Sequence, residues 1–206
     1  MKFNVALKIL LVVSIVLQSL TAVVSAGELE IGSDIPMADM KMPDVSGKTV
    51  SLNDARGENG LLVIFSCNTC PWVDKWEDRY ITISQKFQIE GVGTIAINSN
   101  ENTRKRGDSL DDMMKRANKA KYDFYYTIDE ESKLASAFGA TRTPHIYLFN
   151  NEGKLVYRGA IDDNAKKAEK VKNPYLIDAF EAMISGKEIK TTSTKALGCG
   201  IKFASN

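Results

Sequence analysis

The apolar positions of this chain follow two kinds of pattern. Leu61–Phe65 (LLVIF) and Val92–Asn98 are continuous apolar runs of the kind found in buried central strands. Between them, Pro71–Glu90 repeats its bulky residues at steps of three and four. Trp72, Trp76, Tyr80, Ile83 and Phe87 therefore share one helix face, and Gly91 stops the helix. Pro144–Phe149 and Lys154–Arg158 flank Asn150-Asn151-Glu152-Gly153, which is hairpin chemistry. Shorter signals predict a strand at Lys48–Leu52, a surface helix around Leu110–Lys119 within the charged stretch Ser99–Asp123, and a short helix at Glu131–Phe138 ended by Gly139. Asn173 as cap and Pro174 at the first position predict a last helix, with Leu176, Ile177, Phe180, Met183 and Ile184 facing inward and Gly186 as its stop.

This order is strand, helix, strand, helices, hairpin, helix. A βαβ unit followed by a ββα unit builds an α/β domain with a central mixed sheet and helices on both faces. Gly27–Met42 lacks periodicity and reads as an irregular N-terminal arm, and the stretch from about Lys187 reads as a polar C-terminal tail. The first 26 residues follow a different logic. Lys2 and Lys8 precede or open a short apolar stretch, Ile9–Leu20, and Val24-Ser25-Ala26 offers small residues for cleavage, so residues 1–26 read as a secretory signal. Residues 27–206 then form a single domain of ordinary size. Removing Lys2 and Lys8 from 27 basic residues leaves 25 against 26 acidic ones, a net charge of −1. That balance gives no field to attract nucleic acid, and a membrane contact is expected only through an uncleaved signal segment.

Cysteine usage narrows the chemistry. Three cysteines are too few for a disulfide-stapled scaffold, and an odd count leaves at least one thiol unpaired or transiently paired. Two of them form Cys67-Asn68-Thr69-Cys70. Cys67 follows a buried strand and opens a helix, where free backbone N–H groups favour a thiolate, so its pKa is expected below the ~8.5 of a free cysteine. Cys70 lies one turn on, placed to attack a mixed disulfide at Cys67. A static disulfide or half of a zinc site are the alternatives at this stage. Pro71 fits the first helical turn. Pro144, at the start of an apolar strand, cannot donate to the ladder and occupies a special place there. His145 is the single histidine; with Cys67 and Cys70 it makes a possible soft Cu(I) set, although an ordinary strand histidine is the plainer reading. Asp74, Lys75 and Glu77 are read as solvated, and Arg104-Lys105-Arg106 as an exposed loop face.

Phe65-Ser66-Cys67-Asn68-Thr69-Cys70-Pro71 together with Thr143-Pro144 resembles the thioredoxin superfamily, and more narrowly the bacterial thioredoxin-like, peroxiredoxin-related redoxins. Trp76–Tyr80, Gly93–Asn98, Tyr157-Arg158-Gly159 and Gly198–Phe203 carry the same resemblance, which spans the chain from about Pro43. It implies a thioredoxin-like fold with Cys67 as exposed nucleophile and Cys70 as resolving thiol. It also implies a cis Thr143–Pro144 bond against the disulfide, with Thr143 and Pro144 at the substrate. Peroxiredoxins proper carry a threonine three residues before the peroxidatic cysteine; Ile64 stands there instead, and Gly60–Val63 supply no proline. The expectation is an exported, periplasmic thiol–disulfide oxidoreductase acting on protein thiols and disulfides, with an upstream redox partner. It is expected to use no dissociable cofactor or metal and to be a monomer or thiol-linked dimer. A copper chaperone and, less favoured, a thiol peroxidase are the rivals. Cys199 is an accessory thiol that is either a bystander or within reach of the pair.

Overall fold

The computed structural model describes residues 27–205, so the signal-peptide reading of residues 1–26 lies outside the described residues. After the N-terminal arm the chain forms β1 (Met42–Pro43), β2 (Thr49–Val50), α1 (Leu52–Ala55), β3 (Gly60–Ser66), α2 (Pro71–Ile89) and β4 (Val92–Asn98). It continues through α3 (Leu110–Ala120), β5 (Tyr125–Ile128), α4 (Lys133–Phe138) and β6 (Arg142–Thr143). The last elements are β7 (His145–Asn150), β8 (Leu155–Gly159), α5 (Tyr175–Ile184) and β9 (Cys199–Gly200).

The five central strands lie in the order β5-β4-β3-β7-β8. β3, β4 and β5 are mutually parallel neighbours, whereas β7 runs antiparallel to both β3 and β8, which makes the sheet mixed. β3 is buried along its whole length, as its unbroken apolar run requires. Its side chains alternate between faces. Leu62 and Ile64 meet Val73, Trp76, Tyr80 and Phe87 of α2 and Leu176 and Phe180 of α5; Leu61, Val63 and Phe65 meet Leu52 of α1 and Leu134 and Phe138 of α4. The expected α/β architecture with helices on both faces is what the chain forms. Phe87 and Phe180 stack at 3.7 Å between ring centroids and join α2 to α5.

Four local expectations are corrected. The strand expected at Lys48–Leu52 is cut short because Ser51 caps α1: its side chain accepts from the Asp54 N–H while the Asp54 carboxylate accepts from the Ser51 N–H at 2.7 Å. β5 was not expected; its four residues are too few to show a period, and only pairing with β4 makes them a strand. α5 starts at Tyr175 with Pro174 as the cap residue, because the Asn173 side chain binds Asp163 at 2.7 Å instead, and Ile184 is 36% exposed rather than inward. The tail is not a free polar end. Ser193 bridges Arg158, Ile201 is buried in the core beneath α4, and β9 pairs with β6.

Candidate active site

The site forms where β3 hands over to α2. Helical geometry begins at Pro71, so Cys70 is the cap residue and Cys67 stands three residues ahead of that cap. The two residues between the cysteines are fixed from outside. Asp108, fully buried after β4, accepts from the Asn68 N–H at 2.8 Å and the Thr69 hydroxyl at 2.9 Å. The same carboxylate accepts from Asn98 Nδ2, Asn100 Nδ2 and Thr103 Oγ1. Asn68 also gives its amide to the Gly107 carbonyl at 2.9 Å and receives Arg116 Nη1 on its backbone oxygen at 2.9 Å and Tyr126 OH on Oδ1 at 3.0 Å. A loop with this many partners is preorganised, and its sulfurs stay where the fold puts them.

Both sulfurs converge on Thr143, which a cis bond joins to Pro144. Cys67 Sγ lies 3.3 Å from Thr143 Oγ1, and Cys70 Sγ lies 3.1 Å from the Thr143 carbonyl oxygen. Interaction with the Cys70 thiol, then burial, pushes the Cys67 thiol up, with the nearby Asp108 carboxylate adding to the effect. The same interaction is the main reason the Cys70 thiol comes down to about 4, against the effect of burial and helped by Cys199, the Thr143 side chain and the Val73 N–H at the helix start. The single negative charge therefore belongs to the pair, and one proton serves both sulfurs.

Two expectations for Cys67 are corrected here. Its thiol is raised rather than lowered, by its interaction with Cys70 and then by burial. Nor is it exposed: Cys67 and Cys70 are each 1% exposed, with Thr143 against them and β9 along the outer edge of Thr143.

His145 is not brought to the sulfurs. It pairs with Phe65 in the β3–β7 ladder and its ring lies 4.6 Å from that of Tyr147, in the core on the opposite face of the sheet from Cys67 and Cys70. Burial lowers its pKa to about 4 and keeps it neutral. The Cu(I) set of Cys67, Cys70 and His145 is thus not assembled, and among the described residues no group of three such side chains is placed to hold a metal. Glu77 and Asp74 are not simply solvated; both pair with Arg116, at 2.7 Å each, while Lys75 sits 4.4 Å over the Trp72 ring. Arg104 departs from an exposed loop face too, since it is largely covered and donates to the backbone oxygens of Asn98 and Asp108 at 3.1 Å each. Asp108, Arg116 and Tyr126 were not singled out in the sequence. Gly107-Asp108-Ser109 looks like any turn before a capped helix, and nothing local reveals that its carboxylate reaches Asn68 and Thr69.

With this geometry in place, the relatives give it context. A family model described as the AhpC/TSA family matches residues 31–158. No curated protein matches the chain. An uncharacterized conserved protein from Geobacillus kaustophilus is 29% identical, with a TM-score of 0.79 over 86% of this chain and 94% of that one. The thioredoxin domain of a thiol-disulfide oxidoreductase from Bacteroides vulgatus is 25% identical, with a TM-score of 0.52 over 64% of this chain and 89% of that one. A thioredoxin-like protein solved in its oxidized form is 16% identical, with a TM-score of 0.62 over 78% of this chain and 100% of that one. The fold is thioredoxin-like, and the chain belongs to the AhpC/TSA family.

Proposed function

We propose that this protein is a thiol–disulfide oxidoreductase that exchanges disulfides with protein substrates outside the cytoplasm through Cys67 and Cys70. The observation that carries this reading is the convergence of both sulfurs on Thr143. A pair in which one thiol is lowered has a nucleophile ready, and its second sulfur meets the same residue as the first. In the reduced protein the charge passes to Cys67 as its proton moves to Cys70. Cys67 attacks a substrate disulfide, one substrate sulfur leaves, and Cys70 then displaces the other to close the Cys67–Cys70 disulfide. The reverse sequence oxidises a substrate dithiol. Either direction needs an upstream redox partner to reset the pair and no dissociable cofactor.

The likeness to the Bacteroides vulgatus oxidoreductase domain supports this class of reaction. Ile64 argues against peroxide as the substrate: it is a buried aliphatic side chain where a peroxidatic site carries a hydroxyl. The charged n-region and small-residue site of residues 1–26 support export, and among the described residues no helix is long and apolar enough to cross a membrane. Trapping tests the proposal. The Cys70→Ala variant, mixed with a peptide disulfide, is expected to accumulate a covalent adduct at Cys67, whereas Cys67→Ala with Cys70 intact accumulates far less. No adduct on either variant, with both folded by circular dichroism, would contradict it.

A further inference from the structure

Cys199 lies in a tail beyond the stretch the family model matches, yet it stands against the cysteine pair. β9 runs antiparallel to β6 with Cys199 opposite Thr143, so the tail fills the backbone edge of the residue on which both sulfurs converge. The approach is close: a Cβ at Gly198 would stand 2.1 Å from the Thr143 carbonyl oxygen, which only glycine permits. The strand is anchored on both sides of the thiol. Before it, Thr194 Oγ1 accepts from the Ala160 N–H and meets Tyr157 OH, each at 2.9 Å. After it, the Ile201 N–H donates to the Thr141 oxygen at 3.0 Å and the Lys202 N–H to Asn100 Oδ1 at 2.9 Å. The Cys199 side chain packs against the core cluster that holds Cys67 and Cys70; burial, then interaction with Cys70, holds its pKa up at about 11, against the Trp72 N–H, which lowers it.

We infer that the tail is a built-in substrate: β9 occupies the edge where an extended peptide would add a strand, and Cys199 is a third redox thiol that exchanges into the Cys67–Cys70 disulfide. This rests on the exchange reading above. The step is electron-neutral. Cys199, as thiolate, attacks Cys70 Sγ; the Cys70–Cys199 bond forms as the Cys67–Cys70 bond breaks. Cys67 leaves as thiolate and takes up the proton that Cys199 gave up. When Cys70 is already in a disulfide it carries no charge and makes no thiol hydrogen bond. Two of the contributions that suppress ionisation of Cys199 are then gone, while the Trp72 N–H and the charge of Lys202 still favour it. The result is a latched form, with the disulfide held under a closed tail and Cys67 as a free thiol.

The test oxidises the full chain in glutathione buffers, alkylates the free thiols, and maps the pairings by mass spectrometry. Two singly oxidised forms are expected, Cys67–Cys70 and Cys70–Cys199. Their ratio stays constant across buffer potentials because interconversion moves no electrons. Gly198→Ala, which lifts the tail without removing a thiol, should lower the Cys70–Cys199 fraction several-fold and speed the reduction of a peptide disulfide. Cys67→Ser treated with oxidised glutathione should form Cys70–Cys199 directly. If Cys67–Cys70 forms while Cys199 is always recovered alkylated, glutathionylated or in a Cys199–Cys199 dimer, the latch is wrong and the exchange reading stands. If Cys67–Cys70 never forms, the exchange reading itself fails.

Discussion

At the scale of single residues, the site turns on where protons sit. Interaction between the two thiols, more than burial, pushes Cys67 up and Cys70 down. His145 shows the effect of burial on a cation. Its pKa is lowered from 6.5 to about 4, so below pH 6.5 the unfolded chain takes up a proton that the folded chain refuses. Stability is then lost as pH falls from 6.5 towards 4, by about 3 kcal/mol over the whole interval. His145→Phe removes this titration and should give a flatter stability profile between those pH values, measured by urea unfolding at a series of pH values. Equal slopes for the two proteins would show that His145 is not held neutral by the fold. Cys67 and Cys70 could be picked out in the sequence because their spacing and flanking residues are local signals, whereas Thr143 and Pro144 were picked out through the family resemblance. The fate of His145 could not, since which face of β7 it occupies depends on the register with β3.

At the scale of elements, β3, α2 and the segment between β4 and α3 meet at Asp108. The long runs Leu61–Phe65 and Val92–Asn98 and the helix period of Pro71–Glu90 made these elements legible, because each spans enough residues to show its pattern. β5 and β9 were not legible, with four and two residues that become strands only through a neighbour. Asp108 is the clearest case of a residue whose role exists only in the folded chain. It collects five donors from the Cys67–Cys70 turn, the end of β4 and the segment after it, and Asp108→Ala would leave several of them buried and unpaired. We expect that variant to lose roughly 3 kcal/mol of stability and, at a temperature where it is still folded, to react more slowly with a peptide disulfide because Asn68 and Thr69 no longer fix the sulfurs. A loss of stability with unchanged reaction rate would confine Asp108 to a structural role.

At the scale of the whole molecule, the fold delivers the β6 strand edge, a helix start and three thiols to one place. The α/β order of the chain was enough to anticipate a central sheet between helices. It was not enough to anticipate that Cys199 and Gly200 return across the molecule to β6, because a polar tail with one cysteine carries no pattern that names its docking site. The family model covers residues 31–158 and therefore the Cys67–Cys70 and Thr143–Pro144 parts of the arrangement, while the tail that pairs with β6 lies beyond it. The central claim is that Cys67 and Cys70 form a reversible couple, and a redox titration of the Cys199→Ser variant measures that couple with the third thiol removed. The account predicts a single two-electron transition between the two sulfurs at roughly −270 to −120 mV, the span of known exchangers. A pair that never joins, or that stays joined at every accessible potential, would contradict it.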